Sequence, residues 1–88
     1  MKPNTIINHS NDNVAIALED IPRGTIVRLP DGSAFEALAD IPFSHKVLLA
    51  DLAAGGDLIK YGEVIGQTKT NLKRGEWVHA HNLRLEEE

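Results

Sequence analysis

The sequence predicts a small all-β domain of short strands and tight turns, with helix limited to a turn or two. Three observations carry this reading. Short β-prone runs recur along the chain, closed by Pro, Gly, Asn or Asp, and no long stretch keeps a helical period. The run Val14-Ala-Ile-Ala-Leu18 alternates at period two, with Val14, Ile16 and Leu18 on one face and alanines on the other. One turn pattern is used four times.

In order, Ile6-Ile7 opens the chain, and the polar segment 8–13 is turn-like before the run 14–18. Residues 25–29 (Thr-Ile-Val-Arg-Leu) read as a strand ended by Pro30-Asp-Gly-Ser33, whose Pro, Asp and Gly suit a tight turn. Residues 34–39 pair back on that strand as a hairpin or form one helical turn, since Phe35, Leu38 and Ala39 also sit at helical spacing. In the second half, residues 46–50, 58–61, 64–68 and 77–81 read as strands, and Leu83-Arg-Leu85 extends the last. Strands this short at regular spacing fit a folded-over β structure.

The recurring turn is Asp20-Ile-Pro-Arg-Gly24, Asp40-Ile-Pro-Phe-Ser44, Asp51-Leu-Ala-Ala-Gly55 and Asn71-Leu-Lys-Arg-Gly75, each leading into a strand. Asp or Asn is expected to bond local backbone N–H groups, and Gly permits positive φ. These are capped turns and call for no chemistry.

With 88 residues, 42% hydrophobic and 25% charged, the chain has the composition of one globular domain spanning residues 1–88, with a frayed acidic tail at 86–88. Its bulky aromatics are Phe35, Phe43, Tyr61 and Trp77, so the core is aliphatic and its stability margin modest. The absence of cysteine excludes disulfides, a thiolate metal site and a cysteine nucleophile, and points to a reducing cytoplasm. The first nine residues lack the apolar region of a signal peptide, and no apolar run is long enough to span a bilayer. A net charge of −4 without a basic face argues against nucleic acid. Neither a membrane nor a nucleic acid is an expected partner.

The candidate chemistry lies mainly in histidines. In His79-Ala-His81-Asn82, period two along a strand sets the imidazoles on one face about 7 Å apart. They converge on a metal ion or an anion, or they are two ordinary surface histidines; two ligands alone do not close a metal site. His45-Lys46 starts a strand, so the two side chains face opposite ways. A histidine there is a candidate acid or base and a lysine a candidate carboxylate holder. Lys60-Tyr61-Gly62-Glu63 reads as a hairpin with the tyrosine ring on the core. Trp77, beside the histidine pair, is expected to pack or to lie at an interface; His9 receives no role beyond an edge contact. No phosphate loop, nucleophile elbow or calcium loop is present.

Several segments together resemble the N-terminal domain of altronate and galactarate dehydratases. They are Asp12-Asn-Val-Ala-Ile-Ala-Leu18, Asp40-Ile-Pro-Phe-Ser-His-Lys-Val-Leu-Leu49, Asp51-Leu-Ala-Ala-Gly55, Ile59-Lys-Tyr-Gly-Glu-Val-Ile-Gly66 and Gly75-Glu-Trp-Val-His-Ala-His-Asn82. The match runs in order through nearly the whole chain, although each motif alone is weak. Two positions depart from the pattern: Ser44 stands where glycine is frequent, and Trp77 where histidine is frequent.

The resemblance implies an SAF-type domain with a β-clip fold, a long bent hairpin folded on itself. It further implies a small subunit working with a large catalytic dehydratase subunit on a small sugar-acid substrate. His45, His79 and His81 become candidate catalytic residues, and His79 and His81 candidate ligands of a divalent metal, Fe2+ or Mn2+, completed by the partner. Lys46, Lys60 and Asn82 become candidate substrate-binding residues. A sulfolactate sulfo-lyase subunit, eliminating sulfite instead of water, is the parallel alternative; a non-catalytic scaffold module is the third, since fold does not decide function.

Overall fold

A computed structural model describes residues 2–85. The acidic tail expected to fray lies outside the described residues. The chain forms β1 (Thr5–Ile6), β2 (Val14–Ala17), β3 (Ile26–Arg28), β4 (Ala34–Glu36), β5 (Lys46–Leu48), β6 (Asp57–Lys60), β7 (Glu63–Thr68), β8 (Trp77–Val78), a 3-10 turn (Ala80–Asn82) and β9 (Leu83–Leu85). The strands make three small sheets, ordered β1-β2-β5-β8, β3-β4 and β6-β7-β9, and the pairings between these strands are antiparallel. The fold is all-β, as the sequence predicts. No helix among the described residues is long and apolar enough to cross a membrane.

The four-stranded sheet is the middle layer. On one face Ala15, Ala17 and Val47 pack with Val27, Leu29 and Phe35 of the β3–β4 hairpin and with Ile21 and Ile41. On the other, Val14, Leu48 and Val78 pack with Leu58 of β6, Leu72 and Leu83 of β9. The alanines of β2 are therefore as buried as Val14. Their small methyl groups let the β3–β4 hairpin approach that face closely. Residues 34–36 take the hairpin alternative, with Val27 opposite Phe35.

The four turns associate in two reciprocal pairs. Ile21 bridges Ile41, and Leu52 bridges Leu72. In the first pair Asp20 accepts from the Phe43 N–H and Asp40 from the Arg23 N–H, each at 2.8 Å. In the second, Asp51 accepts from the Arg74 N–H at 2.9 Å and Asn71 from the Ala54 N–H at 2.8 Å. The expectation of local capping is thus corrected: each side chain caps the opposite turn. The reason is that the bridged turns lie side by side, so a short Asp or Asn reaches its neighbour's backbone. The fifth position of every turn has positive φ: Gly24 at 85°, Ser44 at 69°, Gly55 at 81° and Gly75 at 94°. Each donates its N–H across the pair, to Ala37, Ala17, Thr68 and Leu48 carbonyls respectively.

The last expected strand is also corrected. It ends at Val78, and residues 83–85 leave its sheet to pair with β7, Thr68 opposite Leu83. Asn82 causes the departure. Its Oδ1 accepts from the His79 N–H at 3.0 Å, its Nδ2 donates to the Trp77 carbonyl at 2.8 Å, and its own N–H bonds the His79 carbonyl. These bonds curl residues 79–82 into a turn and take the backbone groups a further strand would have offered.

Candidate functional site

β5 and β8 pair with Val47 opposite Trp77 and Lys46 opposite Val78. Carried one step further, that register sets His45, just before β5, beside His79, just after β8. Their ring centroids lie 4.9 Å apart. Trp77 is the centre of the cluster. Its ring stacks on His79 at 5.2 Å with an interplanar angle of 8°, and packs against His81 at 4.9 Å and 36°. Its indole N–H donates to His45 Nδ1 at 3.0 Å.

The three candidate catalytic histidines therefore meet around one tryptophan at one end of the middle sheet. His45 and Trp77 are half-buried, His79 and His81 exposed. The histidine pair does not share a strand face: His79 is extended, at φ −152° and ψ −176°, and His81 lies within the 3-10 turn. Asn82, buried, holds this turn with both ends of its amide, so its observed contacts are to backbone.

Lys46 and Lys60 belong to a second group. Lys46 follows His45 and sits in the row Ile16–Lys46–Val78, on the face that packs toward β6. Burial, and then the positive charge of Lys60, push the Lys46 ammonium below the ordinary lysine range. Lys60 Nζ stands 5.1 Å from the Tyr61 ring centroid.

Tyr61 departs from expectation. The residue is 63% exposed instead of packed on the core. Tyr61 at φ 56° and Gly62 at φ 75° form the two-residue connection between β6 and β7, where Lys60 pairs Glu63. Such hairpin loops need positive φ at both positions, which turns the tyrosine outward. The polar segment before β2 braces this tip: Asp12 Oδ1 accepts the Gly62 N–H at 2.8 Å, and the His9 ring lies against the Gly62 Cα. A side chain at Gly62 would sit 3.0 Å from that ring.

The sequence reading gave Trp77 a packing or interface position and Tyr61 a place in a hairpin with its ring on the core, and named neither among the candidate site residues. For Tyr61 the signal was present, in a two-residue Tyr-Gly link between β-prone runs. For Trp77 it was not, because its importance depends on the β5–β8 register.

The described residues of this chain do not by themselves close a divalent-metal site. No group of three or more His, Asp or Glu among the described residues could hold a metal ion. One nitrogen of His45 is already committed to the indole. An open groove of about 400 Å³ lies at the first turn pair, lined by Asp20, Ile21, Pro22, Asp40, Ile41 and Pro42. At the histidine cluster His79 and His81 face outward, over the half-buried His45 and Trp77.

Comparison with known proteins places this surface in a family. The family model for the altronate/galactarate dehydratase SAF domain matches residues 3–86. Galactarate dehydratase (L-threo-forming) of Escherichia coli (strain K12) is 42% identical over 79 residues, covering 90% of this chain but 15% of that enzyme. Altronate dehydratase of the same organism is 42% identical over 76 residues, or 86% of this chain and 15% of the enzyme. The (2R)-sulfolactate sulfo-lyase subunit alpha of Paracoccus pantotrophus is 46% identical over 56 residues, 61% of this chain and 84% of that subunit. The match thus spans about a seventh of the length of these dehydratases and most of that sulfo-lyase subunit. This chain belongs to the altronate/galactarate dehydratase SAF-domain family.

Proposed function

We propose that the chain is the small β component of a sugar-acid dehydratase of the altronate type, contributing His45, His79 and His81 to an active site completed by a larger partner. The observation that carries this reading is the convergence of the three histidines on Trp77, with His79 and His81 facing outward. A small-molecule lyase needs a water-excluding pocket, and an outward-facing cluster acquires one when a second surface closes over it. The exposed Phe43, two residues before His45, adds apolar surface beside that edge.

Elimination of water from a sugar acid needs a base for the proton next to the carboxylate and assistance to the departing hydroxyl. His79 and His81 are the exposed imidazoles available for proton transfer. Lys46, on the opposite face of the middle sheet from Trp77, and Lys60 near it are the cations this reading gives to the substrate carboxylate. The expected iron or manganese belongs to the rest of the enzyme in this reading, and no step here depends on it.

A second reading rests on length. The chain covers 84% of a sulfo-lyase alpha subunit, so elimination of sulfite by a two-subunit enzyme is the alternative. The test is to combine the chain with the large subunit and assay altronate, galactarate and sulfolactate. Activity on a sugar acid only in the combined sample is expected; sulfolactate alone as substrate selects the second reading. His79→Ala and His81→Ala should each lower turnover by roughly a hundredfold. Near-normal turnover in both variants would leave the chain a scaffold.

A further inference from the structure

We infer that Trp77 is a positioning residue that fixes His45 as a hydrogen-bond donor at Nε2, so that His45 holds an anionic oxygen of the substrate and does not carry its proton. The role given to His45 rests on the shared-site reading above; the action of Trp77 on His45 does not.

The indole N–H only donates, so His45 Nδ1, 3.0 Å away, must be the acceptor. A neutral imidazole has one protonated and one bare nitrogen, which assigns the proton to Nε2. A doubly protonated ring offers no lone pair to the indole and cannot keep this bond. While the bond stands, His45 is a neutral ring with a donor at its other nitrogen, and that donor has no hydrogen-bond partner among the described residues. His79 and Trp77 flank the ring at 4.9 and 5.7 Å between centroids and restrict its rotation. A neutral, oriented N–H of this kind suits a carboxylate or an oxyanion developing beside it. It cannot serve as a base, because the bare nitrogen is occupied by the indole. Proton abstraction then falls to His79 or His81. A histidine at position 77 would not impose the same order, since imidazole both donates and accepts.

The deciding experiment is a long-range 1H–15N correlation spectrum of the labelled 88-residue chain, recorded with His45 in its neutral form. His45 should show a bare Nδ1 and a protonated Nε2. Trp77→Phe, which keeps an aromatic ring but removes the donor, should shift His45 toward the tautomer mixture of a free imidazole. A wild-type His45 protonated at Nδ1 overturns the inference without any variant, as does an unchanged His45 signal in a folded Trp77→Phe chain. In the assembled enzyme, His45→Gln keeps a neutral N–H donor near the Nε2 position. It should retain turnover within roughly tenfold of wild type, while His45→Ala loses roughly a hundredfold. Equal losses in both would make His45 a proton carrier and overturn its assigned role. If the assembled enzyme turns over no sugar acid, the shared-site reading falls together with the role of His45, and the spectrum still decides the action of Trp77.

Discussion

Replacing Ser44 with glycine should stabilise the chain. The four recurring turns share one backbone, and Ser44, at φ 69°, is the fifth-position residue that is not glycine. A left-handed backbone costs an L-residue about 1–2 kcal/mol. Glycine gives back about 0.4–1 kcal/mol of this through the greater freedom of its unfolded chain. The Ser44 hydroxyl makes no hydrogen bond among the described residues, so nothing else is lost. The net gain for Ser44→Gly is about 0.5–1 kcal/mol, or a rise in Tm of roughly 3–6 °C for a domain of this size. The reverse changes should be graded. A Cβ at Gly24 would have Glu36 Oε2 4.0 Å away, and one at Gly55 would meet nothing within 4 Å. Gly24→Ser and Gly55→Ser should therefore lose only the strain, again about 0.5–1 kcal/mol. At Gly75 the Cβ would stand 2.5 Å from the Glu36 carbonyl oxygen and 3.3 Å from Leu38 Cγ. Gly75→Ser should lose about 2–4 kcal/mol by adding overpacking to the strain. Thermal and urea unfolding followed by circular dichroism measure the whole series. A neutral or destabilising Ser44→Gly would refute the strain argument, and a Gly75→Ser no worse than Gly55→Ser would refute the close approach.

Asn82→Ala leaves the His79 N–H and the Trp77 carbonyl without their side-chain partner and should destabilise the chain by about 1–3 kcal/mol, read by unfolding. It should also release His81 from Trp77, visible as a loss of ring-current shift on the His81 protons. Lys46 gives a pH-dependent outcome. Its folded pKa is lowered, so the penalty for its buried charge is fully present below that lowered value. In the window from there up to the ordinary 10.5, the unfolded chain binds more protons and stability rises with pH. Lys46→Met should therefore be more stable than wild type at neutral pH, with an advantage that shrinks as pH approaches 10.5. A difference constant with pH would contradict the assignment.

What the sequence determined by itself was local. Period-two runs such as 14–18, the Pro-Asp-Gly turn after 29 and the four Asp/Asn-led turns specify strands and reversals through preferences of a few neighbouring residues. The ordered family motifs added that His45, His79 and His81 belong together. Tertiary structure decided which turn each Asp caps, because a short side chain bonds whatever backbone lies beside it, and pairing of distant turns sets that neighbour. It decided that both faces of β2 are buried, since the alternation of Val and Ala cannot tell how many layers will cover a sheet. It also made Trp77 the centre of the site. The indole and its acceptor on His45 are 32 residues apart and meet only through the antiparallel register of β5 and β8. No local preference encodes a register of that kind; it is set when the two faces of the middle sheet are packed together.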